Sequence, residues 1–364
     1  EPLKWRFEDS SEFCHVLCKR LVKSIYYLVF ICIKMKKTRE SIEQVLPQFE
    51  HFPRRCEPDA YGASFLIAQK LGLSDVPESL STWTHGWPYV PVVHPEQVAQ
   101  ESNAIQTNLV PTEKIAQKLR SEFSYQNVHA VGSPFIYASP LDVERIPNSL
   151  LVMPPHTLPY LEDEWDEEKY VSSIKDVIDE FDHVFACIHR HDAKKRNWID
   201  TFSKAGIPCI KGTQVRDKYG LTRMQTLFHL FEFVTSNTIG SHLAYASYCG
   251  CKVSVYGPYA HRSIEDFKKD PVWSGEREPI LRHNLKYTQE DHVKKKYPFL
   301  FASPSESRKH TDWAERELGV RYKRSPTTLS RLLGWGFRKQ FLLKANKWKN
   351  KAHRKLNRLK EKIL

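Results

Sequence analysis

The residues with the clearest chemical potential lie in Phe233-Val-Thr-Ser-Asn-Thr-Ile-Gly-Ser-His242. A hydrophobic run passes directly into small, hydroxylated residues and then into a helical pattern. Ser236, Asn237 and Thr238 would place a hydroxyl, an amide and backbone N–H groups at a helix N-terminus. Gly240 and Ser241 let a ligand approach the main chain, and His242 follows at once. A helix start of this kind favours a phosphate, because its N–H groups and dipole meet negative charge. The same residue types also make ordinary N-caps, for which one of them would serve. Two more loops carry polar groups just past hydrophobic runs. Met153-Pro-Pro-His-Thr157 presents His156 on a stiffened turn, and Ile188-His-Arg-His-Asp192 carries Arg190, whose guanidinium can fork onto a phosphate. His189, His191 and Asp192 are metal-ligand types, but His-x-His lacks a third ligand at useful spacing, so no metal site is expected. In Trp83-Thr-His-Gly-Trp-Pro88, His85 is an imidazole suited to general base catalysis near neutral pH, and the two tryptophans could stack on a carbohydrate ring. The alternative is a structural histidine in an aromatic turn. Glu57, Asp59 and Glu101 are the carboxylates that could take the acid or base role instead.

Positioning these loops requires strands that end where they begin. Hydrophobic spacing predicts a helix over 61–72, strands at 80–84 and 104–110, a helix over 114–123 and a strand at 127–131. After a proline-punctuated crossover come a strand at 149–153 and a helix over 167–181. Strands at 183–188, 207–211, 233–236 and 252–256 then alternate with helices over 193–205, 223–231 and 238–248. Strands separated by helices of this length form βαβ units and a parallel sheet, whose ligands bind beyond the carboxyl ends of the strands. The organisation expected is a helical lead-in (1–56), an α/β unit (57–145), a second α/β unit (146–330) and a basic tail (331–364).

Three segments together resemble the GT-B glycosyltransferases that build bacterial lipopolysaccharide and capsule. They are His85-Gly-Trp87, Asn108-Leu-Val-Pro-Thr112 with Val131-Gly-Ser-Pro-Phe135, and Thr235-Ser-Asn-Thr-Ile-Gly-Ser-His-Leu-Ala-Tyr245. The resemblance implies an α/β fold of two Rossmann-like domains facing a cleft, the first on the acceptor side and the second binding the nucleotide-sugar. It also implies transfer of a sugar from a CMP- or UDP-linked donor to a lipid-linked or polysaccharide acceptor, with neither metal nor cofactor required. In that reading His85, Glu57, Asp59 and Glu101 are the catalytic candidates, while His156, Arg190, Ser236, Asn237, Thr238, Gly240, Ser241 and His242 bind nucleotide or phosphate. No Glu-x7-Glu pattern follows the Ser236 loop, unlike common retaining transferases. A CDP-polyol phosphotransferase of teichoic-acid type and a nucleotide-sugar epimerase remain as alternatives, as does a non-catalytic membrane scaffold.

Charge is distributed in a way that separates body from tail. The net charge is +12, yet residues 331–364 contain twelve Lys or Arg against the single acid Glu361, so the rest of the chain is nearly neutral. A neutral body argues against nucleic acid as a partner. From Phe337 to Ile363 apolar residues recur at spacings of three and four, a helical stripe surrounded by basic residues. Phe341 and Trp348 with Lys344, Lys347, Lys351 and Arg354 are therefore expected to bind an anionic membrane surface, placing the protein peripherally on the cytoplasmic face. The strongest apolar run, residues 25–33, is too short for the ~20 residues of a membrane span. The eight cysteines show neither CxxC pairs nor zinc spacing and are expected as reduced core thiols in the cytoplasm.

Overall fold

The computed structural model describes residues 39–98, 103–157, 165–195, 197–267, 273, 277–336 and 340–341. Two sheets organise them. The smaller contains β1 (Ser81–Trp83), β2 (Thr107–Val110) and β3 (Val128–Ala130), parallel and in that order. Preceding it is α1 (Ala63–Lys70), and α2 (Glu113–Phe123) connects β2 to β3. In α2, Ala116 and Leu119 are buried three residues apart, and they pack on Val110 and Val128. This is the spacing at which a helix presents one face to a sheet.

The larger sheet has strand order β6-β5-β4-β7-β8-β9. Its strands are β4 (Ile146–Val152), β5 (His183–Ile188), β6 (Cys209–Lys211), β7 (Phe231–Ser236) and β8 (Lys252–Val255), all parallel, with the antiparallel edge strand β9 (Arg308–Lys309). The strand residues alternate between two cores. Leu150, Val152, Val184, Ala186 and Ile188 face α3 (Glu167–Lys175) and α4 (Asn197–Lys204) through Tyr170, Ile174, Trp198 and Phe202. Leu151, Phe185, Cys187 and Val234 face the opposite way, toward α5 (Gly220–Leu230) and α6 (Ser241–Tyr248). Covering both faces is what allows parallel strands to be hydrophobic throughout. That second core also includes Trp83 and Leu109 of the smaller sheet, so one apolar cluster joins the two sheets.

β4 and β7 are neighbours although β5 and β6 leave on one side and β8 on the other. This reversal is a topological switch point, where adjacent loops diverge and open a crevice beyond the strand ends.

Beyond β8 the chain forms α7 (Glu278–Thr288), α8 (Glu290–Lys296), α9 (Thr311–Leu318) and α10 (Pro326–Leu332). It then returns to the smaller sheet. Leu80 N–H donates to the Leu333 carbonyl (2.9 Å), and Trp335 Nε1 donates to Ser79 Oγ (3.1 Å). Leu329 and Leu333 are fully buried. At Gly319, φ is +71° and an added Cβ would lie 1.9 Å from the Pro111 carbonyl oxygen, so only glycine permits this approach. The residues before α1 cross in the other direction. Glu43 accepts from Lys211 N–H (3.0 Å) and from Arg223 Nη2 (2.8 Å), while His51 forms a β-bridge with Asp217.

Several sequence expectations are corrected here. The basic tail does not start at 331, because Leu333 and Trp335 belong to the core. The helix expected over 61–72 opens as a 3-10 segment, Glu57–Gly62, in which Tyr61 has φ +55°. The helix expected from Thr238 begins at Ser241, after an extended Gly240. The helix expected over 193–205 is a turn at Asp192–Lys195 followed by α4. Among the described residues no helix is long and apolar enough to cross a membrane. Glu101, Trp348, Lys344, Lys347, Lys351, Arg354 and the apolar run at 25–33 lie outside the described residues. Cys56, Cys187, Cys209, Cys249 and Cys251 are free, buried thiols.

Candidate functional site

A cavity of about 560 Å³ opens at the switch point, within the ~300–1,000 Å³ range of small-molecule sites. The loops after β4 and β7 supply part of its wall, as switch-point geometry requires. The loops after β1 and β3 close over it from the smaller sheet, through His85, Gly86, Pro134 and Phe135. The two sides touch directly. Trp87 N–H donates to Ser241 Oγ (2.8 Å), and Phe135 stacks on Tyr245 with centroids 3.9 Å apart.

Of the phosphate candidates, Thr238, Gly240, Ser241, His242 and His156 line this cavity. α6 starts at Ser241, so its first N–H groups are those that a helix leaves without intrahelical partners. Ser236 and Asn237 have other work. Ser236 Oγ, fully buried, accepts from Thr238 N–H (3.3 Å), and Asn237 Nδ2 donates to the Pro258 carbonyl (2.8 Å). Both shape the loop from behind and are absent from the cavity wall.

Arg190 also fails to reach the cavity. Its guanidinium carbon sits 4.4 Å from the Phe49 ring centroid, on the lead-in segment. Its neighbour His189 lines the cavity instead. The cavity's arginine is Arg262, which donates to the His156 carbonyl (2.6 Å) and lies over Trp165. Sequence reasoning missed Arg262, although the loop after β8 is another strand-to-helix loop and the same rule pointed to it.

His85 lies against Tyr61, with ring centroids 6.0 Å apart. The residue is exposed along the cavity, while the protein atoms packed around the ring, with Arg54 nearby, push its pKa down to about 4. His242 is likewise pushed down to about 4, by burial and then by His156. Both rings are therefore neutral at physiological pH, and a neutral imidazole can accept a proton. The carboxylate alternatives are turned away. Asp59 is fully buried, holding Arg55 and Ser64, while Glu57 is 1% exposed with Arg54 at 3.8 Å. Neither is part of the cavity wall.

Sequence spacing offered no third ligand-type group beside His189 and Asp192, but the fold brings one in. His156, from the loop after β4, stacks on His189 with centroids 4.7 Å apart, and Asp192 completes a group of three. His191, the sequence-adjacent candidate, is exposed and outside this group.

No protein-family model matches the sequence, and no curated protein matches it. Among solved structures, the chain is similar to a point mutant of S. aureus TarM in complex with fondaparinux, α-GlcNAc-glycerol and UDP. The TM-score is 0.33 and the identity 12%, over 70% of this chain and 50% of that one. It is also similar to the pneumococcal O-GlcNAc transferase GtfA in complex with UDP and GlcNAc, with a TM-score of 0.32 and 10% identity, over 70% and 51% of the two chains. The chain thus spans about half the length of these structures. At such identities and TM-scores the similarity carries no activity to this chain.

Proposed function

We propose that the protein is a glycosyltransferase that moves a sugar from a nucleotide-activated donor to an acceptor hydroxyl inside the switch-point cavity. The observation that carries this reading is the cavity itself. The N-terminus of α6 enters it from the larger sheet, and a neutral His85 enters it from the smaller one. Transfer needs a base on the acceptor hydroxyl and stabilisation of the departing phosphate. His85 takes the hydroxyl proton as that oxygen bonds to the anomeric carbon. The bond from this carbon to the donor phosphate breaks, and the electron pair leaves on the phosphate oxygen. Backbone N–H groups around Ser241, the Thr238 hydroxyl and Arg262 meet the negative charge that develops there. Ser241 is two residues' reach from His85 through its bond to Trp87 N–H, which keeps base and phosphate site in one frame. The donor is a cytidine or uridine nucleotide sugar. The acceptor is lipid-linked or a polysaccharide, presented at an anionic membrane surface that the basic residues beyond 341 hold.

A thermal-shift comparison of CMP, CDP, UDP and GDP tests the donor site. A ligand at a hundredfold excess over its Kd stabilises the fold by about 2.7 kcal/mol, so one of the four raises Tm. Ser241→Phe, which fills the start of α6, removes the rise. If well-folded protein responds to none of the four, the donor-site reading is wrong.

A further inference from the structure

We propose that His156, His189 and Asp192 form a binding site for one divalent transition-metal ion on the cavity wall. One ligand-type atom from each lies within 4.8 Å of the other two. The loops after β4 and β5, adjacent parallel strands, bring them together, so the site depends on sheet register and not on a single flexible segment. His189 Nδ1 stands 4.0 Å from Asp192 Oδ2. That is too long for a hydrogen bond between them, and Nδ1 instead accepts the His191 N–H (3.3 Å), a bond that a cation held at about 2.0–2.2 Å from both groups would displace.

The surrounding bonds are those that orient metal ligands. Thr157 donates to Asp192 from its N–H (3.1 Å) and from its hydroxyl. Its carbonyl pairs with His156 Nδ1 (3.0 Å). A carbonyl only accepts, so Nδ1 carries the proton and Nε2 keeps the lone pair a metal requires. One residue thereby fixes two of the three ligands. Asp192 is 3% exposed, so a cation there would meet a carboxylate already withdrawn from water. His156 and His189 both line the cavity, which leaves the remaining coordination positions facing it. Two imidazoles and one carboxylate suit Zn²⁺ or Co²⁺ better than Mg²⁺ or Ca²⁺, which favour oxygen ligands. The site rests on these residues alone and stands whether or not the cavity binds a nucleotide.

Titration of the metal-stripped full chain with Co²⁺, followed by its visible absorption and by calorimetry, tests the site. We expect one Co²⁺ per chain, displaced by Zn²⁺ and unaffected by Mg²⁺. His156→Ala and His189→Ala each weaken Co²⁺ binding by more than the ~10–100-fold typical of losing an outer-shell partner. His191→Ala retains the original affinity. His156 is exposed, so its variant keeps the fold, and circular dichroism checks each protein. Unchanged affinity in folded His156→Ala, or binding reduced equally by His191→Ala, means an adventitious ion only and overturns the proposal. So does the absence of stoichiometric binding to the unaltered chain.

Discussion

His85 combines two properties that a base in this cavity needs: access to a ligand and a neutral ring. Its lowered pKa makes the pH dependence specific. The neutral form is the active one, and with a pKa of about 4 it persists as pH falls from 7 toward 5. An ordinary histidine, near 6.5, would lose most of its neutral form by about pH 5.5. The acid limb of kcat/KM from this group should therefore lie near pH 4, as measured by initial rates across pH. His85→Ala should lower turnover by about 10²–10⁴-fold while leaving the nucleotide-induced Tm rise intact. Near-normal turnover in that variant would return the ring to a structural role. Residue types alone pointed to His85, His156 and the Thr238–His242 stretch as polar groups past strand ends. They gave no means of separating His189 from Arg190, since which of two adjacent residues faces a cavity depends on the local turn.

At the scale of elements, the contacts between the two sheets set the shape of the site. α6 serves both as a helix start in the cavity and, through Ser241, as the anchor for the β1 loop. A second joint lies at Gly319, which follows α9 and packs on the turn after β2. Gly319→Ala should destabilise the protein by on the order of 1–3 kcal/mol, since both φ and the Pro111 carbonyl oppose a Cβ. Urea unfolding measures this, and an unchanged midpoint would show that the joint yields easily. The parallel strands of both sheets were legible because hydrophobic runs bounded by Gly and Pro mark them strongly, whereas the edge strand β9, Arg308–Lys309, has no apolar run to mark it. Helix starts were not. Ser236, Asn237 and Thr238 all suit an N-cap, and the extended Gly240 that delays the helix to Ser241 has no signature in composition. Helices α7 to α10 were not anticipated, although α7 buries Ile280 and Leu281 and α9 buries Trp313, Ala314 and Leu318.

For the whole molecule, the chain threads between its halves twice. Residues 42–56 pack on the larger sheet before the smaller one begins, and residues 329–335 return to the smaller sheet at the end. A truncation that tests the basic tail must therefore begin after Phe341. Deleting 342–364 should leave Leu329, Leu333 and Trp335 in place, so folding and nucleotide binding should survive. Binding to vesicles containing anionic lipid should be lost. Each Lys or Arg near such a surface contributes roughly 1 kcal/mol, which salt screens, so the full chain should be released progressively as ionic strength rises. Flotation with vesicles of defined composition measures both effects. A full chain that ignores anionic vesicles would remove the membrane from the proposed function.

By itself the sequence determined the α/β class, the positions of the parallel strands and the loops past their ends, because periodicity and turn residues act over a few neighbours. The concentration of positive charge at one end was equally plain. Tertiary structure alone decided which loops meet. Strand order placed the β4 and β7 loops around one crevice, and sheet register set His156 beside His189 and Asp192 from a loop more than thirty residues away. It also seated Arg190 against Phe49 and brought Arg262 to the cavity. Such pairings are long-range, and they follow from how buried faces pack together, which no local pattern of residue types encodes.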